Sequence, residues 1–131
     1  MTGLASPTLS KRERIVSRKL IEQLFSKSGS RSTSAFPLRI VFMEKTREEG
    51  ETAVQILVSV SKRHFKRAVK RNRVKRQIRE AYRHHKHLLA ERVPENKSIA
   101  IAFIWQADGL FDSQQVKRSV KRLLEKVAES L

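Results

Sequence analysis

The sequence contains no cysteine, which excludes a disulfide framework and any metal site built on thiolate ligands. Glycine and proline are scarce, at four and three residues, and no glycine-rich loop of the kind that cradles phosphates is present. Long hydrophobic runs are also missing: the longest, residues 99–105, has the length of a β-strand. The first ten residues lack the basic start and apolar stretch of a signal peptide, so we expect a flexible tail over residues 1–10.

Acidic residues are few. The chain has 13 of them against 29 lysines and arginines, a formal net charge of +16. A small domain does not need so much charge to stay in solution, and self-repulsion opposes its folding. The imbalance indicates a polyanionic partner, and it favours nucleic acid over an acidic membrane surface. We therefore expect no membrane partner and no protein oligomer, and one domain with one core over residues 11–131.

Apolar periodicity predicts an α+β fold with a single small mixed β-sheet. The expected elements follow the order α-β-β-α-β-α, over residues 17–29, 35–43, 52–60, about 70 onward, 98–105 and 112–131. Residues 28–34 are expected to form a loop, and residues 44–51 a hairpin loop between the first two strands. The third strand is apolar on both faces, which predicts a central, covered position in the sheet. Ser17 and Asp112 or Ser113 are the expected helix N-caps, and Gly29 the expected end of the first helix.

Residues 66–86, KRAVKRNRVKRQIREAYRHHK, are the most basic part of the chain. At about 100° per residue, a helix here separates two faces. The apolar face carries Val74, Ile78, Ala81, Tyr82, Leu88 and Leu89. The basic face carries Asn72, Arg73, Lys75, Arg76, Arg79, Arg83 and Lys86. A face that is merely solvated is the ordinary alternative, but like charges three and four residues apart destabilise a helix, so contact with phosphates is the better account.

Residues 59–83, SVSKRHFKRAVKRNRVKRQIREAYR, closely resemble the signature of the bacterial ribonuclease P protein family. The hallmark is the triplet Arg71-Asn72-Arg73 followed by Val74-Lys75-Arg76, with the strand ending in SVSK before it. The resemblance extends from about residue 13 to residue 124, and it includes the segment LIEQLF of the first helix. It implies a sheet like that of domain 2 of ribosomal protein S5, with a left-handed βαβ crossover.

The resemblance also implies a function. Members of this family are accessory subunits of the endoribonuclease ribonuclease P, found in the bacterial cytoplasm, which removes the 5′ leader of precursor tRNA. The catalytic RNA subunit holds the Mg²⁺ ions and carries out the chemistry. The protein binds that RNA through the basic helix and the loop before it, and it offers the single-stranded leader a cleft between the first helix and the sheet.

These roles can be carried over to residues that match the family's motifs. The expected contacts to the RNA subunit are Lys62, Arg63, Lys66, Lys70, Arg71, Asn72, Arg73, Lys75, Arg76 and Arg79. The expected contacts to the leader are Ile21, Phe25, Phe36 and Arg39. Two of these depart from the family's pattern, because Ile21 replaces a frequent aromatic residue and Arg39 a frequent tyrosine. For Phe25 and Phe36, packing in the core is an equally good reading, since both fit apolar stripes.

Other chemistries are less well supported. The four histidines, His64, His84, His85 and His87, raise the possibility of acid–base hydrolysis of RNA by the protein itself, or of a metal shared by His84 and His87. Neither hypothesis is supported by an acidic residue at a spacing that would complete such a site. A structural RNA-binding protein without a linked reaction fits charge and size as well, and only the triplet in its context argues against it. A helix–turn–helix DNA binder finds no support in the pattern.

Overall fold

The computed structural model describes residues 9–26 and 29–131. Within these ranges the elements in chain order are a 3-10 helical turn Lys11–Glu13, α1 Arg18–Phe25, β1 Arg31–Ala35, β2 Leu38–Thr46, β3 Val54–Ser59, α2 Ala68–His85, α3 His87–Ala90, β4 Lys97–Trp105 and α4 Ser113–Glu129. The predicted α+β fold with a single mixed sheet is confirmed. The sequence predicts a flexible tail over residues 1–10, and residues 1–8 of it lie outside the described residues. Leu9 packs against the core.

The sheet has the strand order β1-β2-β4-β3. β2 pairs antiparallel with β1 and β4, whereas β3 and β4 run parallel. The predicted hairpin of β2 and β3 is therefore wrong, because β4 lies between these strands. The predicted central position of β4 is confirmed, and its residues 98–103 are all buried. The most apolar strand takes this position because helices cover the sheet on both sides there.

Residues 31–35 form the edge strand β1, where the sequence predicts a loop. Arg31 pairs with Phe42 and Ala35 with Leu38. Phe36 and Pro37 form the turn, so β2 begins at Leu38 and not at residue 35. The segment RSTSA lacks the apolar alternation of a half-buried strand, and pairing with β2 supplies its order instead.

The two faces of the sheet bury different cores. One face carries Ile40 and Ile101 against α2, α3 and α4. The opposite face carries Val41, Ala100 and Ala102 against α1. The segment from β3 to β4 contains α2 and α3 and returns to a parallel strand. The left-handed sense of this crossover stays a prediction.

The helix ends follow local capping chemistry. Ser17 caps α1 as predicted, because its Oγ accepts a hydrogen bond from the backbone N–H of Leu20 at 3.2 Å. The expected end at Gly29 is wrong, since α1 stops at Phe25. Asp112 caps α4 and accepts from the backbone N–H of Gln115 at 2.9 Å. No helix in the described part of the chain is long and apolar enough to cross a bilayer.

The basic helix α2 begins at Ala68, close to the expected start near residues 69–71. It does not continue to Leu89, because the helix is interrupted at Lys86 and resumes as α3. Leu89 is nevertheless fully buried, so the apolar face predicted for one long helix is shared by two.

Candidate nucleic-acid interface

Helix α2 separates an apolar face from a basic one. Val74 and Ile78 are fully buried and attach the helix to the sheet, as predicted. Four residues of the opposite face are exposed and are here called the α2 ridge: Lys70, Asn72, Arg73 and Arg76. Among the described residues, no carboxylate forms an ion pair with any of these cations. The α2 ridge is therefore an accessible, uncompensated positive surface.

Lys75 and Arg79, also predicted to bind RNA, lie at the margin of this surface and are only partly exposed. Burial, together with the positive charge of Arg14, holds the pKa of Arg79 below its ordinary value. A phosphate that binds between two cations relieves their electrostatic repulsion, which favours its binding. The short N-terminal segment before α1 thus adds Arg14 to the basic surface, which the sequence pattern did not indicate.

Residues 61–67 form the loop that leads into α2, here called the leading loop. The backbone N–H groups of His64 and Phe65 donate to the carbonyl oxygen of Ser61 at 3.1 and 3.4 Å. Phe65 is buried and anchors the loop in the core. Lys62, Arg63 and Lys66 stay exposed on its outer side, as their predicted role requires.

Arg71 has a structural role in this loop. Its Nη1 donates to the carbonyl oxygens of Phe65 and Lys66, both at 2.8 Å. The N-cap residue Arg67 forms no side-chain cap. Arg71 does not replace that cap, since a guanidinium only donates, but it ties the first turn of α2 to the loop before it. Of the triplet, Arg71 holds the loop, while Asn72 and Arg73 point into solvent. Sequence reasoning did not distinguish these roles, because the three residues are consecutive and equally polar.

His64 joins the leading loop to the segment after β4. Its Nδ1 lies 2.7 Å from Oδ1 of Asp108, and the histidine side chain is only 9% exposed. A cavity of about 440 Å³ opens beside this pair and is lined by His64, Phe65, Lys66, Arg67, Lys70, Asp108, Gly109 and Leu110. Asp108 is the partner that the sequence did not reveal, because it lies 44 residues further along the chain.

A second surface lies on the opposite face of the sheet. There α1 and the edge strand enclose a cleft of about 350 Å³, here called the α1 cleft. It is lined by Leu24, Phe25, Ser30, Arg31, Ser32, Arg39 and Val41. Phe25 is 46% exposed, which excludes the reading that it is a core residue. An exposed aromatic ring beside two arginines suits an unpaired nucleic-acid strand, which binds through base stacking and backbone charge.

The other two residues predicted for this cleft are placed differently. Ile21 is half-buried and packs against the core under α1. Phe36 is not in the cleft: it lies in the turn between β1 and β2, and its ring centroid is 5.7 Å from that of Phe111. With 69% of its surface exposed, it is not a core residue either. Ser30, Arg31 and Ser32 belong to the cleft instead, and the sequence missed them because it did not predict β1.

The histidines do not form one site. His64 and the group 84–87 lie at opposite ends of α2, whose 18 residues span roughly 27 Å. Nε2 of His84 donates to a carboxylate oxygen of Glu80 at 3.0 Å and borders α4, whereas His87 lines a different cavity with Glu13 and Tyr82. Within residues 9–26 and 29–131, no three histidine, aspartate or glutamate side chains are grouped so that they could hold a metal ion.

Comparison with known proteins assigns this chain to a family. Residues 9–128 match the family model described as Ribonuclease P. The chain is 41% identical to the ribonuclease P protein component of Porphyromonas gingivalis over 98% of its own length and 92% of the relative's. It is 30% identical to the ribonuclease P protein component of Chlorobium phaeobacteroides, over 97% and 92% of the two chains.

Solved structures share the fold. A Staphylococcus aureus RNase P protein, a mutant described as defective in mRNA degradation activity, superposes with a TM-score of 0.69 at 24% identity and covers 91% of this chain and 90% of its own. The RNase P protein from Thermotoga maritima gives a TM-score of 0.66 at 22% identity, over 87% and 96% of the two chains.

Proposed function

Because this chain belongs to the ribonuclease P protein family, we propose that it docks on the catalytic RNA of ribonuclease P through the α2 ridge and leading loop, and holds the 5′ leader of precursor tRNA in the α1 cleft. Membership in the family makes the chain a subunit of ribonuclease P and implies an RNA partner. The binding surfaces and the division of labour between RNA and protein are the proposal.

The observation that carries the proposal is the exposed, unpaired cationic face of α2. Arg73 and Arg76 project from a helix that Val74 and Ile78 anchor in the core, so their Cα positions are rigid. A planar guanidinium can contact a phosphate through two parallel hydrogen bonds, and Asn72 can both donate to and accept from a ribose or a base. Rigid placement reduces the entropy lost when the RNA binds.

The leader is assigned to the α1 cleft because the cleft combines two features that an unpaired strand needs. Phe25 offers a ring for stacking, and Arg31 and Arg39 offer charge for the sugar–phosphate backbone. Stacking and backbone charge do not read base edges, so we expect contact with the leader to depend little on its sequence. The α2 ridge and the α1 cleft lie on opposite faces of the sheet, so one protein can contact both RNAs at once.

Hydrolysis of the phosphodiester bond is assigned in this proposal to the RNA subunit and its Mg²⁺ ions. The contribution of the protein is electrostatic and positional. Two RNAs that approach each other repel strongly, and a chain of net charge +16 between them replaces part of the screening that Mg²⁺ provides. We therefore expect the protein to lower the Mg²⁺ concentration that the RNA needs for cleavage.

The test is cleavage of a precursor tRNA by a bacterial ribonuclease P RNA at low Mg²⁺, with and without this protein. Restored cleavage at the mature 5′ end supports the proposal. Tight binding to the RNA without any change in cleavage would contradict it and would leave a structural RNA-binding protein. Cleavage by the protein in the absence of RNA would contradict the assignment of the chemistry.

A further inference from the structure

A second basic surface lies on α4 and is not part of the α2 ridge. The second and third turns of α4 carry Lys117, Arg118 and Lys121. These residues border a groove of about 360 Å³ together with His84 and His85 of α2. These five residues are here called the α4 patch. Within residues 9–26 and 29–131, Gln114 is the one further residue that lines the groove, so none of these residues brings a carboxylate into its wall.

The lysines and the arginine that α4 contributes to the α4 patch have no acidic partner in the described part of the chain. Among the residues that the structure describes, no acidic side chain forms an ion pair with Lys117, Arg118 or Lys121. Lys117 and Lys121 are four residues apart, and Arg118 and Lys121 three, which are the spacings at which like charges destabilise a helix. A helix face that only needed solvation would gain from a glutamate at one of these positions.

The local electrostatics agree with this picture. Burial, followed by the positive charges of Lys121, His84, His87 and Lys117, lowers the pKa of His85 below its ordinary value. Burial is the larger cause and favours neither sign of charge, but the contributions of Lys121 and Lys117 indicate that His85 lies in a positive local potential.

The α4 patch continues the α2 ridge along the groove between the two helices. Arg73 and Arg76 border the first part of this groove with Ser113, at the beginning of α4. The carboxylate of Glu80 also lines this first part of the groove, where it is engaged by Arg83 and, at 3.0 Å, by Nε2 of His84. Ser113 of the first part and Gln114 of the second are consecutive on α4, so the two parts are neighbours along this helix.

On these grounds we propose that the α4 patch is a second phosphate-binding surface for the RNA subunit, so that the RNA backbone crosses from α2 to α4. This inference rests on the proposed function and extends it from one helix to two. The occupant is an RNA backbone because the groove offers several adjacent cations, and because the surface that it continues is the one assigned to the RNA subunit.

The experiment measures binding of the full chain to a bacterial ribonuclease P RNA over a series of monovalent salt concentrations. The test variant is Lys117→Gln/Arg118→Gln/Lys121→Gln. A matched control, Lys11→Gln/Lys19→Gln/Arg92→Gln, also removes two lysines and one arginine, but from exposed positions away from the groove. A third variant, Lys117→Arg/Lys121→Arg, keeps the charge, and circular dichroism with thermal unfolding confirms that each variant is folded.

We expect the test variant to bind at least about tenfold more weakly than the control, with a salt slope of log K reduced by roughly two units. The charge-keeping variant should bind like the unmodified protein. Equal affinity and equal slope for the test and control variants would overturn the inference, while binding that still depends on Arg73 and Arg76 would leave the proposed function intact. Failure of the unmodified protein to bind the RNA would overturn both.

Discussion

Nδ1 of His64 lies 2.7 Å from a carboxylate oxygen of Asp108, and this contact joins the leading loop to the loop that follows β4. The two residues are far apart in the chain, and one is nearly buried while the other is 86% exposed. Because His64 belongs to the loop that carries Lys62, Arg63 and Lys66, we expect the contact to restrain the backbone of these exposed cations.

Replacing Asp108 by Ala should loosen the leading loop without unfolding the protein. The free energy of unfolding should change by less than about 1 kcal/mol, because the carboxylate is exposed to water. Amide hydrogen exchange at His64 and Phe65 should become faster, and affinity for the RNA should fall several-fold, since the loop cations lose preorganisation. Glu95→Ala, which removes an exposed acidic residue outside the loop, is the control. Unchanged exchange in the leading loop would show that the contact does not order it.

Arg71 and its neighbours should separate into a structural and a binding role. Arg71→Ala removes two hydrogen bonds to loop carbonyls and should lower the free energy of unfolding by about 1–2 kcal/mol. Arg73→Ala/Arg76→Ala should change it by no more than about 0.5 kcal/mol while weakening RNA binding and flattening its salt dependence. Urea unfolding and salt-dependent binding measure the two effects. A large loss of stability in the double variant would mean that these arginines support the fold.

Phe25→Ala should slow the cleavage of precursor tRNAs that carry a long leader. Loss of one stacked base costs about 1–3 kcal/mol, so kcat/KM should fall at least about fivefold for a long leader and little for a leader of one nucleotide. Phe36→Ala is the matched control, because it removes an exposed ring outside the cleft and should not distinguish the two substrates. An equal effect of Phe25→Ala on both substrates would place its role in packing rather than in leader binding.

His85 should make the free energy of unfolding fall as the pH is lowered. Its pKa in the folded protein is lowered, first by burial and then by nearby positive charges, so the unfolded chain binds more protons in mildly acidic solution. The stabilising contribution of neutral His85 is complete above its unfolded pKa of about 6.5 and is lost as the pH falls through the folded-state pKa. His85→Gln should therefore flatten the fall in free energy of unfolding between about pH 7 and about pH 5. Lys121→Gln should flatten it partly, and a profile unaffected by either change would exclude this cause.

The sequence by itself predicts α2 and α4, their caps or starting points, and the central position of β4. These features depend on local periodicity and on the apolar character of single segments, which a chain carries whatever its neighbours are. The alternation of Val74, Ile78 and Tyr82 with Arg73 and Arg76 is enough to separate a buried from an exposed face. The resemblance to the ribonuclease P protein family also depends on consecutive residues, and the comparisons confirm it.

Only the tertiary structure decided which distant residues meet. The edge strand β1 has no hydrophobic pattern of its own and exists because it pairs with β2, and this pairing brings Arg31 to the cleft beside Phe25. The sequence predicts that β4 is central, but not that β2 and β3 flank it on either side, because the choice of neighbours depends on pairing between distant segments. The roles of Arg71 and Asp108 follow from backbone carbonyls and a loop that come within hydrogen-bonding distance only after the core has packed, because such contacts are non-local or depend on the exact path of the chain.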